Sequence, residues 1–200
     1  MRGAPPLEIL RHDINVDQYI RACPDDAVTL GTFFQHVRDV VIRKRGSAPA
    51  TLMHGVPEHH WVPFLKYPLV DFMHLVVNAA GILHADQPLA EGLRRVGWLA
   101  YPSFAATMAG RIVLRAFGDT LEDVVRAAPK AYGIAVPSAT VTVKNLGARR
   151  YIFEYRNAYN FVDTYHRGVL EGAIRAHGFD PKIEVRTERR LCDADFEGGW

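Results

Sequence analysis

The chain has 200 residues and a formal net charge of +2, from 24 basic and 22 acidic side chains. This balance argues against a nucleic-acid-binding protein, because such a protein needs a strongly basic face. Hydrophobic residues make up 48% of the chain and charged residues 23%, which excludes a disordered protein. The length suits one compact unit, and we predict a single domain over residues 1–200.

The cysteine content and the apolar segments indicate where the protein resides. Cys23 and Cys192 are too few for a disulfide framework or a four-cysteine zinc site, and they fit a reducing compartment. The N-terminus carries no apolar segment of signal-peptide length. The longest apolar stretch, residues 75–83, is interrupted by Asn78 and is too short to span a bilayer. We therefore expect a cytoplasmic protein without a membrane span.

Apolar residues recur at three- and four-residue spacing through the first two thirds of the chain, which predicts helices. Residues 69–84 carry the widest apolar stripe, so this helix should be largely buried. Pro102 and Pro129 are predicted to end two helices, because proline disfavours helical geometry in the residue before it. The predicted elements are a short strand at 7–10 and helices at 14–21, 32–43, 69–84, 88–100, 103–117 and 121–128.

After Pro137 the pattern changes to alternation, which is typical of strands. Residues 140–143 and 151–155 alternate on either side of a turn and predict a β-hairpin, followed by a helix at 161–177 and strands at 183–187 and 193–200. Gly168 and Gly172 should give that helix a flat patch for packing on the sheet. The predicted fold class is α+β: a helical part, residues 14–136, packed on a ββαββ antiparallel four-stranded sheet, residues 137–200.

The sequence contains none of the strong catalytic motifs. It has no glycine-rich phosphate loop, no Gly-x-Ser-x-Gly elbow, no His-Glu-x-x-His and no Cys-x-x-Cys. We therefore name no catalytic residue and no metal ligand. His54, Glu58, His59 and His60 are metal-ligating residue types, but they lie in a Pro/Gly-rich segment. A solvated loop is the favoured interpretation there, and metal binding is the alternative.

Aromatic side chains concentrate around the predicted hairpin and final helix. Such clusters line ligand pockets, although they also fill ordinary cores. Arg111 follows a small-residue segment and is either part of a structural ion pair or an anchor for an anionic ligand. The candidate ligand-binding residues are Phe72, Trp98, Tyr101, Phe104, Met108, Arg111, Tyr155 and Tyr165.

The order and spacing of several short motifs resemble a paralogous family of uncharacterised proteins expanded in myxobacteria. The resemblance covers about residues 15–200 and implies no established activity. The motifs that carry it are Gly31-Thr-Phe-Phe, Tyr67-Pro-Leu-Val-Asp-Phe, Gly92-Leu-Arg-Arg-Val-Gly-Trp, Tyr101-Pro-Ser-Phe, Ala109-Gly-Arg and Tyr165-x-x-Gly168-Val-Leu-Glu-Gly172-Ala.

More distantly, a helical half followed by a hairpin, a Gly-x-x-x-Gly helix and two strands resembles the haem-NO-binding and vinyl-4-reductase-type domains. That resemblance implies a sensory domain holding a small molecule between helices and sheet. The haem-binding branch carries a proximal histidine shortly before its sheet and Tyr-x-Ser-x-Arg on its hairpin. Here no histidine lies between His84 and His166, and the hairpin reads Tyr151-Ile-Phe-Glu-Tyr-Arg. Haem is therefore not the expected cofactor, and the cofactor is left unknown.

These observations lead to one main functional hypothesis and several alternatives. The main hypothesis is a non-catalytic small-molecule-binding or sensory domain whose ligand is hydrophobic. The alternative is a protein–protein interaction module, acting as a homodimer without a ligand. A haem-based gas sensor and an enzyme with an unrecognised site are kept as further alternatives.

Overall fold

The computed structural model describes residues 13–57, 60–107, 110–111, 115, 118 and 120–200, with backbone alone for residues 187–190. Within these ranges the α-helices are α1 (Val16–Ala22), α2 (Gly31–Arg45), α3 (Leu69–Leu83), α4 (Leu89–Ala106), α5 (Leu121–Ala135) and α6 (Arg167–Ala176). A 3-10 helix spans Ala50–Met53 and a π-helix spans Val162–His166. The strands are β1 (Val28–Leu30), β2 (Lys66–Pro68), β3 (Thr140–Gly147), β4 (Arg150–Arg156), β5 (Lys182–Arg190) and β6 (Asp193–Gly199).

The last four strands form one antiparallel sheet in the order β3-β4-β6-β5. Alternation places one side of each strand on the inner face, where Phe153 of β4 pairs with Phe196 of β6 and both are buried. Tyr155 lies opposite Val141 in the hairpin, as the alternating pattern predicts. The helices cover this inner face, so the predicted α+β fold with its ββαββ sheet is confirmed.

The helices α2, α3 and α4 pack on one another and α4 packs on α6, while α5, α6 and the π-helix contact the four-stranded sheet. The apolar stripe of α3 is buried along its length, as its sequence predicts. Phe34 of α2 is fully buried between the rings of Trp61 and Phe72, at centroid distances of 5.1 and 5.2 Å. No helix in the described part of the chain is both long enough and apolar enough to cross a membrane.

Two predicted helix ends were wrong, because both prolines lie inside helices. The helix α4 continues through Pro102 to Ala106, and α5 continues through Pro129 to Ala135. Each proline removes one backbone hydrogen bond of its helix. Packing compensates for this loss, since α4 is held against α6 and the apolar face of α5 is held against β3.

Other elements also differ from the predictions. The predicted helix at 103–117 begins instead as the last turn of α4, and residues 108–117 lie largely outside the described ranges. The predicted strand at 7–10 lies outside them entirely. The two-stranded sheet of β1 and β2, in which Thr29 lies opposite Tyr67, was not predicted. Its strands are three residues long, which is too short for a recognisable alternating pattern.

The helices α4 and α6 cross backbone to backbone through three glycines. A Cβ atom built on Gly168 would lie 1.9 Å from the carbonyl oxygen of Arg94, and one on Gly172 would lie 2.2 Å from that of Trp98. On the opposing helix, a Cβ atom on Gly97 would lie 2.1 Å from the carbonyl oxygen of Tyr165. The prediction that Gly168 and Gly172 face the sheet was therefore wrong. They face α4, because two helix backbones approach this closely only where no Cβ atom intervenes.

A buried ionic bridge fixes the register of the same two helices. The guanidinium of Arg94 donates from Nε to Glu171 Oε2 at 2.7 Å and from Nη2 to Glu171 Oε1 at 2.9 Å. Its Nη1 donates to Glu91 Oε2 at 3.1 Å, and the Arg94 side chain is only 2% exposed. Arg95 and Arg167 each bind one of the two glutamates as well. The buried guanidinium and the two buried carboxylates are thus each paired with opposite charge, which offsets the free energy lost when these groups leave water.

We expect Gly168→Ala to lower the free energy of unfolding by about 3 kcal/mol, because the added methyl group would collide with the backbone of α4. The matched control is Gly133→Ala on α5, where an added Cβ meets no atom within 4 Å. That change should raise stability by about 0.5–1 kcal/mol through helix propensity. Chemical denaturation followed by circular dichroism measures both. Equal effects of the two substitutions would contradict the close crossing.

We expect Arg94→Met to cost about 3–5 kcal/mol of stability, because Glu171 and Glu91 then share less positive charge in a buried site. The control is Arg95→Met. Its side chain is 38% exposed and binds one carboxylate oxygen, so its loss should cost about 1 kcal/mol. The measurement is urea denaturation of both variants. A similar cost for both would show that the bridge has no special role.

Candidate ligand-binding site

A cavity of about 230 Å³ lies among the helices. Its walls come from α2, α3, α4, α5 and α6, from the β1 segment and from the π-helix, and the four-stranded sheet contributes Phe153 of β4. Phe64 and Ile134 line the cavity and are also 66% and 52% exposed, so they mark its opening to solvent. The cavity therefore opens to solvent beside these two side chains.

Most of the cavity wall is apolar. Nine residues of α5 line the cavity, and several of them recur at three- and four-residue spacing on one face of the helix: Leu121, Val124, Val125, Ala127, Ala128, Ala131, Tyr132, Ile134 and Ala135. Four of them are alanines, which leave space that larger side chains would fill. The opposite wall carries Val169, Leu170, Ala173 and Ile174 of α6. None of the described residues that line the cavity is Asp, Glu, Lys or Arg.

One end of the cavity is polar and consists of Tyr132, His166 and Asn160, with Tyr155 directly behind them. The hydroxyl of Tyr155 donates to the hydroxyl oxygen of Tyr132 at 3.2 Å. The Tyr132 oxygen lies 3.0 Å from His166 Nδ1, and His166 Nε2 lies 2.7 Å from Asn160 Oδ1. Since Asn160 Oδ1 is an acceptor, Nε2 carries the hydrogen and Nδ1 accepts from Tyr132. We call these four residues the polar end.

Burial keeps the titratable groups of the polar end uncharged near neutral pH. Desolvation lowers the pKa of His166 to about 3, so its imidazole is neutral. Desolvation raises the pKa of Tyr132 well above its usual value, and it raises the pKa of Tyr155 as well. The hydrogen-bond chain is thus a chain of neutral groups with a defined direction.

The π-helix determines where Tyr165 and His166 point. It begins after Phe161, which is fully buried and has φ 61° and ψ 63°, a left-handed conformation that is costly for a residue other than glycine. The ring of Phe161 packs against Tyr19 at a centroid distance of 5.2 Å, and the Tyr19 hydroxyl donates to Asp163 Oδ1 at 2.8 Å. These contacts hold a strained turn, after which both Tyr165 and His166 line the cavity.

The structure brings four of the sequence-predicted site residues together in the cavity wall: Phe72, Tyr101, Phe104 and Tyr165. Trp98 does not line the cavity and lies under the guanidinium of Arg175, 5.3 Å from its ring centroid. Tyr155 lies behind the wall in the polar end. Arg111 is exposed and donates to the carbonyl oxygen of Ala106 at 2.7 Å, and Met108 lies outside the described residues.

Three residues of the polar end were not predicted from the sequence: Tyr132, Asn160 and His166. No spacing pattern links Tyr132 to His166, since they lie on separate elements 34 positions apart. The alanine spacing of α5 was a signal that the sequence did offer, but the assumed helix end at Pro129 concealed it. In the histidine-rich loop, Glu58 and His59 lie outside the described residues. Among the residues described, no group of three or more His, Cys, Asp or Glu side chains could hold a metal ion.

Several solved structures share this fold. The NMR structure of the H-NOX domain from Shewanella oneidensis in the Fe(II)CO ligation state has a TM-score of 0.68 and 16% identity, covering 85% of this chain and 97% of that one. The crystal structure of an H-NOX protein from S. oneidensis in the Fe(II)NO state has a TM-score of 0.67 and 16% identity, covering 84% and 97%. The crystal structure of the Fe(II) unliganded H-NOX protein from K. algicida has a TM-score of 0.61 and 14% identity, covering 85% of this chain and 95% of that one.

At these identities the likeness shows the fold alone. A search of the curated proteins gave no match. A family model does match, over residues 22–200 and thus over most of the chain. The chain therefore belongs to the family described as protein of unknown function DUF2378, and its fold is similar to that of H-NOX domains.

Proposed function

We propose that this chain is a non-catalytic small-molecule-binding domain with a sensory or regulatory role, and that its ligand is small and apolar. The observation that carries the proposal is the apolar cavity of about 230 Å³ that the helices enclose together with Phe153 of the sheet. Voids in ordinary cores are seldom larger than a water molecule, so this space is not a packing defect of the usual size. Cavities with apolar walls favour apolar guests over water.

The size of the cavity limits the ligand. Sites for drug-sized molecules enclose about 300–1,000 Å³, so a cavity of about 230 Å³ suits a smaller molecule. The half-exposed Phe64 and Ile134 at the opening offer such a molecule an apolar entrance.

The protonation states of the cavity wall support binding over catalysis. General acid–base catalysis needs a group whose pKa lies near the working pH. Burial lowers the pKa of His166 to about 3 and raises that of Tyr101 to about 12. Burial also raises the pKa values of Tyr132 and Tyr165. These groups do not exchange protons readily near pH 7, because each stays in one protonation state there.

Haem does not fit the residues that line the cavity. Both ring nitrogens of His166 are engaged, by Tyr132 and by Asn160, so neither has a free lone pair for iron. The described wall carries no cationic side chain to pair with propionates, and the cavity lies below the size range of sites for drug-sized ligands. The H-NOX proteins of similar fold were solved with Fe(II) bound to NO or CO. The proposed ligand of this chain is a different one.

A second candidate function is protein–protein interaction, and a specific surface favours it. Phe64, Leu65 and Ile134 are all more than half exposed, and Phe64 and Ile134 flank the opening of the cavity. A partner or a second copy of the chain would remove this apolar surface from water.

A matched pair of substitutions on α6 tests the cavity. Ala173 lines it, whereas Ala176 is exposed at the end of the same helix. We expect n-butylbenzene to bind the unmodified protein with 1:1 stoichiometry in isothermal titration calorimetry, because its surface is entirely apolar. Ala173→Phe should weaken this binding at least tenfold by filling the cavity, while Ala176→Phe should leave it unchanged.

Two results would count against ligand binding. One is an unmodified protein that does not bind n-butylbenzene, and the other is equal binding by the Ala173→Phe and Ala176→Phe variants. If light scattering then showed a dimer, the interaction function would replace the proposal.

Titration with hemin tests the exclusion of haem. We expect no saturable 1:1 complex with the sharp Soret band of histidine-ligated haem, because His166 is already bonded at both nitrogens. The measurement is ultraviolet–visible absorbance spectroscopy, and the His166→Ala variant is the comparison. A saturable band that the substitution abolishes would show that His166 ligates iron and that the exclusion is wrong.

A further inference from the structure

We infer that the ligand carries one neutral hydrogen-bond acceptor, such as a ketone, ester or amide carbonyl, which binds the side-chain amide of Asn160 at the polar end of the cavity. This inference rests on the proposed function and deepens it by naming the chemical class of the ligand. The apolar remainder of the molecule would occupy the space between α5 and α6.

Asn160 is the residue that carries the inference. It lines the cavity and is only 2% exposed. Its Oδ1 accepts from His166 Nε2, but within the described part of the chain its amide nitrogen makes no hydrogen bond. An amide nitrogen carries two hydrogens, and in a residue that lines the cavity they can be donated to a ligand there. A ligand acceptor in the cavity would satisfy one of them.

The other hydrogens of the polar end are already used. The Tyr155 hydroxyl hydrogen goes to Tyr132, and the Tyr132 hydroxyl hydrogen goes to His166 Nδ1. The hydrogen on His166 Nε2 goes to Asn160 itself. The chain of hydrogen bonds therefore runs in one direction, from Tyr155 to Asn160. The amide nitrogen of Asn160 is the donor that remains available. A donor-bearing ligand would not satisfy that nitrogen, whereas an acceptor would.

The electrostatics of the wall select a neutral acceptor over an anionic one. No described residue of the wall is cationic, and burial holds His166 in its neutral form. A carboxylate would lose its hydration in this cavity without gaining an opposite charge, which is strongly unfavourable. A carbonyl group loses far less hydration and gains a hydrogen bond.

Three probes of matched shape test the inference: 4-phenyl-2-butanone, 3-phenylpropanoate and n-butylbenzene. They share a phenyl ring and a two-carbon link, and they end in a ketone, a carboxylate and an ethyl group. Calorimetry at pH 7.5 should show the ketone binding at least tenfold more tightly than the carboxylate.

The variant that removes the donor is Asn160→Leu, and its control is Thr29→Val. Thr29 is a buried polar residue of the same wall, and its hydroxyl is committed to the carbonyl oxygen of Ala135 at 3.0 Å. Asn160→Leu should weaken ketone binding about tenfold and leave n-butylbenzene binding unchanged or tighter. Thr29→Val should change the affinities for both probes by the same factor.

The outcomes separate this inference from the proposed function. If n-butylbenzene does not bind, the proposed function fails, and the inference fails with it. If n-butylbenzene binds but ketone and carboxylate bind equally, the inference alone is wrong. It is also wrong if folded Asn160→Leu, verified by circular dichroism, keeps the full ketone affinity.

Discussion

The close crossing of α4 and α6 is the constraint on which the rest of the structure depends. Glycines on both helices let the backbones meet, and the buried Arg94–Glu171 bridge fixes how far one helix can slide along the other. The π-helix continues directly into α6, and its Tyr165 carbonyl is the atom that meets Gly97. The crossing therefore sets the positions of Tyr165 and His166, and through them one end of the cavity.

The cavity exists because the two helices that border it are built differently. The helix α6 is drawn against α4 by its glycine face, while its larger apolar residues line the cavity. The helix α5 contributes four alanines to the wall, and their small side chains leave part of the space between the two helices unfilled. The polar end is neutral because burial penalises every charged form there. The small residues thus determine the shape of the cavity. The chemical selectivity that we infer depends on a short chain of hydrogen bonds at its polar end.

In the function that we propose, a shared fold does not carry a shared ligand. The fold of the chain is similar to that of H-NOX domains, with helices packed on an antiparallel sheet. The groups that line its cavity are nevertheless unsuited to haem, because the imidazole in the wall has no free nitrogen. Function resides in the residues grafted onto the fold, and those residues are the basis for the organic ligand that we propose.

The sequence by itself determined the α+β class, the ββαββ order and the bounds of α3 within one residue. These follow from periodicity, which is a local property. Only the tertiary structure decided that α4 and α5 continue through Pro102 and Pro129, that the glycines face α4, and that Tyr132 meets His166 and Asn160. Each of these features depends on contacts between residues that are distant in the sequence. Packing energy outweighs the local cost of a proline inside a helix, and it brings together side chains that no spacing rule connects.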